Sequence, residues 1–377
     1  MLCSFTHLFL VLGTVAAIQV STPSGQYGIG SRQYILNHIT PNDPSLGDGK
    51  FILMTIYYPT YHKATKSLPY MDPANAKIFG DAWAYPNGSL ETLQTALQPN
   101  APFLEVASSP HLPTLLFSPG LGNNGFMYYG LNSELASHGW TTIVIDHPGD
   151  PTLLHLPDGK SVAGFDINFN PSDTEVLQIY DYRVSDMVAV AANFPYWVEE
   201  SHAPFNTSHY IALGHSIGGA AAAGAASKVN EIIGGINMDG AFVSPYKNIE
   251  KPFLILNSVN HSSDPFLALN DVDHLSDPSQ KDFIDIQSSW WELLSIFGAF
   301  HYDYTDAVHW VERLGIENKT QMPSLGSIGG DRMLKIVSKY TTEFLNFVLG
   351  ENGCIFTHPS LEWREVIYVN GSSFPAF

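Results

Sequence analysis

The sequence predicts an α/β fold, a mostly parallel sheet with helices on both faces, and three observations carry that prediction. From Pro113 onward, short apolar β-rich runs alternate with stretches of helical period. One run, residues 209–213, passes through Gly214-His215-Ser216-Ile217-Gly218 into an alanine-rich helix that reaches Ser227. The chain has 377 residues, 45% of them hydrophobic, enough to bury a large core.

Taken in order, residues 1–17 read as a secretory signal. An apolar stretch over 8–17 ends in small residues, and Val15 and Ala17 suit the −3 and −1 positions of a cleavage after Ala17. At about 15 apolar residues it is short for a membrane span. Residues 18–377 are expected to form a single domain. Within it, 33–38 and 51–58 read as an antiparallel edge hairpin. Residues 62–108 are rich in proline, alanine and polar groups and read as an irregular surface excursion with one short helix at 89–97. Strands are expected at 114–118, 141–146, 210–214, 232–239 and 252–259. Helices are expected at 129–139, 174–194 and 329–349. The tail from 351 shows no pattern.

Lys and Arg total 17 against 36 Asp and Glu, a formal net charge of −19. Such a surface argues against nucleic acid and against docking on anionic membranes, and leaves neutral or zwitterionic small substrates open. Five Asn-x-Ser/Thr sequons, at Asn87, Asn206, Asn260, Asn318 and Asn370, together with the leader, predict a secreted, extracellular glycoprotein. Once Cys3 leaves with the signal, Cys354 is alone, so no intramolecular disulfide forms; it is expected to be a buried thiol.

Gly-x-Ser-x-Gly between a strand and a helix is the arrangement of a nucleophile elbow. The serine sits on a strained turn, and the helix behind it offers N–H groups to a developing oxyanion. Ser216 is therefore the expected nucleophile. Phe117-Ser118-Pro119-Gly120-Leu121-Gly122 follows the preceding strand and supplies the other half of an oxyanion hole, with the N–H groups of Leu121 and Ile217 as donors. The base has to follow the last core strands, which leaves His261, His274, His301 and His309; His301, among small and aromatic residues, is favoured. Asp239 ends an apolar strand and would face the crevice as the acid. Asp264, Asp271 and Asp273 are its rivals, and Asp146 reads as a structural or rim residue. No zinc-spaced His or Cys cluster occurs, and the chemistry calls for no metal or cofactor.

In this order and spacing, Phe117-Ser118-Pro119-Gly120-Leu121-Gly122, Gly214-His215-Ser216-Ile217-Gly218-Gly219, Asp239, Leu256-Asn257-Ser258 and Gly298-x-x-His301 resemble the platelet-activating factor acetylhydrolase family of the α/β-hydrolases. The resemblance covers roughly residues 110–310, with Pro119 standing where that family usually carries a histidine. It implies the α/β-hydrolase fold and a calcium-independent esterase with the triad Ser216, Asp239 and His301. The acid after the strand that follows the elbow helix and the base in a Gly-x-x-His turn are both family placements. The implied reaction is hydrolysis of short acyl esters, including 2-acetyl glycerophosphocholines. A general short-chain carboxylesterase, a polyester or cutinase-like hydrolase and a non-catalytic relative are the other readings.

Substrate contacts are expected from Phe126 and Tyr128 after the oxyanion turn, from Phe242 after the acid, and from Trp290 and Trp291. The last two fall in an amphipathic stretch, 290–297, read as a helix that caps the site or rests transiently on a lipid interface. The polar run 261–281 reads as a mobile lid or solvated loop.

Overall fold

A computed structural model of the chain describes residues 18–41, 50–104, 112–258, 277–316, 320–351, 353–356 and 360–372. The expected leader and most of the expected lid lie outside these residues. The chain enters through β1 (Ile18–Gln19) and the hairpin of β2 (Gly28–Asn37) and β3 (Phe51–Thr60), antiparallel along its whole length. The excursion that follows holds β4 (Leu68–Pro69), helix α1 (Pro73–Ala82), β5 (Leu93–Thr95) and β6 (Leu97–Pro99). It is more regular than its composition suggests. Asp72 caps α1 by accepting from the N–H groups of Ala74 and Asn75, and Pro73 opens the helix where a missing N–H costs nothing. The expected helix at 89–97 is instead a single tight turn, Leu90–Thr92, followed by the two short strands.

The regular part runs β7 (Thr114–Ser118), α2 (Tyr129–Ser137), β8 (Thr142–Asp146) and a small hairpin of β9 (Leu153–His155) with β10 (Ser161–Ala163). Helix α3 (Asp173–Ser201) begins at a capping box made by Ser172 and Glu175. After it come β11 (Tyr210–His215), α4 (Ile217–Ala226), β12 (Ile232–Met238), β13 (Phe253–Ser258), α5 (Pro278–Ile284), β14 (Trp291–Ile296), α6 (Ala307–Leu314), α7 (Gly330–Val348) and β15 (Val366–Gly371). Ten strands form one sheet in the order β15-β14-β13-β12-β11-β7-β8-β3-β2-β6. Strands β14 to β8 in that order are mutually parallel. The early hairpin is therefore not an edge: β3 joins β8, and β6 covers the outer side of β2.

Alternation along the strands sorts the core into two layers. Leu115, Phe117, Val144, Ile211, Leu213, Leu254 and Leu256 face one cluster with residues of α2, α6 and α7. Leu116, Ile143, Ile145, Ala212, Phe253 and Ile255 face the other with α3, α4 and α5. Every residue of α4 after Ile217 is buried, and its alanines and glycines bring the helix axis close to the sheet.

Two expectations fail here for one reason. The stretch 290–297 holds the strand β14, not a helix, and the patternless tail supplies β15, which pairs antiparallel with it. Alternation over six residues and helical amphipathicity are hard to separate when tryptophan and leucine fill both faces. Glu292 of β14 is buried opposite Gly371, where any side chain would meet its carboxylate. Burial pushes its acid up to about 8, from an ordinary 4.5. The folded state thus holds a proton that the unfolded state releases, and its stabilising effect fades as pH rises from about 4.5 through 8. Relative to Glu292→Gln, the wild-type melting temperature should fall by a few °C between pH 5 and pH 9, measured by thermal unfolding.

Candidate active site

The site lies at the carboxyl ends of the central strands. Ser216 follows β11 and caps α4 with φ 57° and ψ −133°, a strained conformation for a residue with a side chain. The turn holds because Gly218, two residues on, has no Cβ. One placed there would sit 2.1 Å from the carbonyl oxygen of Ser118 and 2.4 Å from that of Pro119. The Ser216 N–H donates to Met238 O at 2.8 Å, which ties the elbow to the end of β12.

The next residue after β12 is Asp239, also at positive φ and almost fully buried. Its Oδ2 lies 2.7 Å from His301 Nδ1, and its Oδ1 accepts the N–H of Ser258, at the end of β13, at 2.6 Å. A carboxylate gripped from both sides fixes the ring nitrogen that faces it as the protonated one and leaves Nε2 as an acceptor. The His301 side chain is 44% exposed, so the ring stays within reach of a substrate. It begins a short turn, His301–Tyr304, held by Asp303, whose Oδ2 accepts the N–H groups of Phe300 and Gly326, both at 2.7 Å. Burial, with Asp239 nearby, pushes the Asp303 acid up to about 6.

His215, just before the serine, brings the two loops together: its ring centroid is 4.5 Å from that of His301. Its Nδ1 meets the Tyr128 hydroxyl at 2.8 Å. That same hydroxyl accepts the N–H of Gly120 at 2.8 Å and the Asn123 amide at 2.9 Å. The N–H of Ile217, in the first turn of α4, and that of Leu121 have no protein partner among the described residues. Both residues are half-buried.

A profile of the alpha/beta hydrolase fold matches residues 113–277. A ferulic acid esterase from Streptomyces cinnamoneus superposes with a TM-score of 0.76 at 20% identity, covering 94% of this chain and all of that one. The chain has the α/β-hydrolase fold. A relative from Arthroderma benhamiae, described as a probable 1-alkyl-2-acetylglycerophosphocholine esterase, is 26% identical over 276 residues. That alignment spans 69% of this chain and 66% of the relative, just under two thirds of its length.

Within the α/β-hydrolase frame, the expected residues separate clearly. Ser216, Asp239, His301, Leu121 and Ile217 all fall at the strand ends just described. His309 does not: it is buried on α6 against Gly330, where burial pulls its pKa down to about 4. His261, His274, Asp264, Asp271 and Asp273 lie outside the described residues. Asp146 is a buried support whose Oδ1 accepts the Gly125 N–H at 2.6 Å.

The expected substrate contacts divide differently. Phe126 is half-buried and, with Tyr70 and Tyr129, lines a groove of about 670 Å³ between the excursion and β2, β3 and β8. Tyr128 is fully buried, and its hydroxyl serves the oxyanion turn by accepting the N–H of Gly120. Phe242 stacks on Phe283 with centroids 3.7 Å apart, within the core layer of α3 and α4. Trp290 packs on Phe344, Phe347 and Phe356, and Trp291 opens β14, at the opposite end of that strand from His301. Neither tryptophan reaches the site, because the segment is a strand that spends its length crossing the sheet. Sequence reasoning did not find Asp303 or the bridging roles of His215 and Tyr128; a lone acid in a turn and a tyrosine in a helix carry no signal before the turns are folded together.

Among the sequons, Asn87 is exposed and Asn370 half-buried on β15. Asn206 is buried, and its amide oxygen accepts from the Ser208 N–H and hydroxyl and the His209 N–H, so it suits a turn better than a glycan. Asn260, Asn318 and the Cys354 side chain lie outside the described residues. No group of three or more His, Cys, Asp or Glu among the described residues is placed to hold a metal ion.

Gly218→Ala should leave a folded protein with its oxyanion turn displaced, because the added methyl meets two backbone carbonyls. Turnover of any ester substrate should drop by roughly 10²-fold or more, compared at equal folded concentration by circular dichroism.

Proposed function

We propose that the protein is a secreted, glycosylated serine esterase that hydrolyses short acyl esters through an acyl-enzyme, without calcium. The observation that carries this reading is the Asp239–His301 pair, 2.7 Å apart, beside a serine on a strained elbow. His301 Nε2 takes the Ser216 proton as Oγ attacks the ester carbonyl. The N–H groups of Leu121 and Ile217 receive the oxyanion, and the alcohol leaves with the proton from His301. Water then attacks the acyl-enzyme by the same route, releasing the acid and restoring Ser216. Asp239 keeps the imidazole in the required tautomer and stabilises its charged form.

The activity described for the Arthroderma relative makes 2-acetyl glycerophosphocholine-type lipids the first substrate class to test. A zwitterionic head group also suits a chain whose formal net charge is −19. Secretion and glycan attachment at Asn87 or Asn370 rest on the leader and the sequons.

The test is hydrolysis of p-nitrophenyl acetate, butyrate and octanoate, with and without an organophosphate and EDTA. Short-chain turnover that the organophosphate abolishes and EDTA leaves unchanged is the expected result. No turnover at any chain length, with no label on Ser216, would overturn the proposal. Ser216→Ala should lose at least about a thousandfold in kcat; residual activity within about tenfold of wild type would remove Ser216 from the mechanism. Asp239→Asn should lower kcat by roughly 10³–10⁴-fold while the protein remains folded, since the amide cannot hold the same tautomer.

A further inference from the structure

Behind the oxyanion turn lies a buried polar network that the proposed mechanism does not use. At its centre, Arg183 of α3 is 1% exposed. Its guanidinium donates to the carbonyl oxygen of Pro119, to that of Gly120 at 3.1 Å and to Ser118 Oγ at 3.2 Å. The remaining N–H groups go to Asp150 Oδ2, at 2.6 Å and 2.9 Å. Asp150 is fully buried; its Oδ2 also accepts from Tyr182, and its Oδ1 accepts the N–H of Gly122 at 2.7 Å.

One ion pair therefore holds three residues of the glycine-rich turn, Pro119 and Gly120 by their carbonyls and Gly122 by its N–H, and so flanks Leu121 on both sides. Tyr128 takes the N–H of Gly120. The carbonyls of Pro119 and Gly120 and the N–H groups of Gly120 and Gly122 are thus tied down on either side of Leu121, whose own N–H has no partner among the described residues. We propose that Arg183 and Asp150 are positioning residues for the oxyanion hole, whose clamp on Pro119, Gly120 and Gly122 aims the Leu121 N–H at the reacting carbonyl. This rests on the esterase reading of the same site.

A second line of contacts braces the clamp. Ser118 Oγ lies 2.9 Å from His147 Nε2, and His147 Nδ1 lies 2.8 Å from Asp186 Oδ2. Thr40 donates to Asp186 Oδ1 at 2.7 Å. These are the residue types of a catalytic triad, yet all three are buried and no substrate reaches them. Their donors and acceptors close in one direction only. Arg183 donates to Ser118, the Ser118 hydroxyl to Nε2 of a neutral His147, and its Nδ1–H to Asp186. Burial, with Arg183 adding to it, holds the His147 pKa well below its ordinary value, in keeping with that direction. The arrangement fixes Ser118, the last residue of β7, and so the root of the turn.

The experiment compares wild type with Arg183→Lys, Asp150→Asn and Ser118→Ala on p-nitrophenyl butyrate. Active sites are counted by organophosphate stoichiometry, and an alkyl trifluoromethyl ketone, which forms a hemiketal oxyanion on Ser216, serves as the probe of the hole. Lysine keeps the charge but cannot span two carbonyls and a carboxylate. The expected result for Arg183→Lys and Asp150→Asn is a kcat per titrated site lower by about 10²-fold, KM within about threefold, and ketone affinity weakened by the same factor as kcat. Ser118→Ala removes no charge and leaves the Arg183–Asp150 pair intact, so it is the mildest of the three changes to the fold, and it should show the same pattern at about tenfold. A kcat per titrated site within about threefold of wild type in the folded variants overturns the clamp, as does a kcat loss without matching loss of ketone affinity. If wild type itself neither turns over ester nor takes the organophosphate, it is the esterase reading that fails, and the clamp falls with it.

Discussion

The contact on which the site depends is between two pieces of backbone. The N-terminus of α4 comes so close to the carbonyls at the end of β7 that only glycine fits at position 218. That approach brings the serine turn and the oxyanion turn within one hydrogen-bonding site, with no side chain between them. It also explains the composition of α4. A helix seated this near the sheet, in contact with α3 behind it, can carry little more than methyl groups toward its neighbours, and the sequence supplies alanine and glycine. The strained φ of Ser216 is affordable because these contacts leave the chain no relaxed alternative.

Around that contact the protein spends polar groups on position rather than on charge at the surface. Asp239 is held by Ser258, Asp303 holds the turn that carries His301, and Asp146 holds Gly125 at the start of the segment leading into α2. Each is a buried carboxyl group that accepts backbone N–H groups from loops at the strand ends. Burial raises the acids of Asp303 and Asp146, and the backbone donors oppose that rise. Loops fixed in this way reach the geometry of a rigid scaffold without being regular structure.

Much of this is legible in the sequence, for physical reasons. The parallel core announced itself because strands buried on both faces are short apolar runs, and the elbow because its steric demands leave glycines at fixed offsets. Asp239 and His301 were findable as an acid at a strand end and a histidine in a glycine turn. The failures share a cause too. Residues 290–297 and the tail from 351 belong to two strands whose pairing is decided by each other, and neither segment alone shows a period that excludes a helix or a loop. The excursion looked irregular because α1 draws its start from one aspartate and one proline rather than from a long apolar stripe. Arg183 and Asp150 left no trace in the sequence, since a buried ion pair is visible only once α3 is laid against the turn.

The near absence of side chains along α4 has a consequence for how this protein could be altered. A helix that cannot accept an added methyl at its first turn offers no positions at which to select new substrates. Variation has to enter elsewhere; open space lies in the groove formed by the excursion, whose wall includes Phe126, five residues after Leu121. A mutant library confined to the groove positions Leu68, Glu91, Leu97 and Phe126, none of them fully buried, would vary the groove while leaving the core residues of the excursion untouched, whereas one spread over residues 218–226 would set every change against packed neighbours.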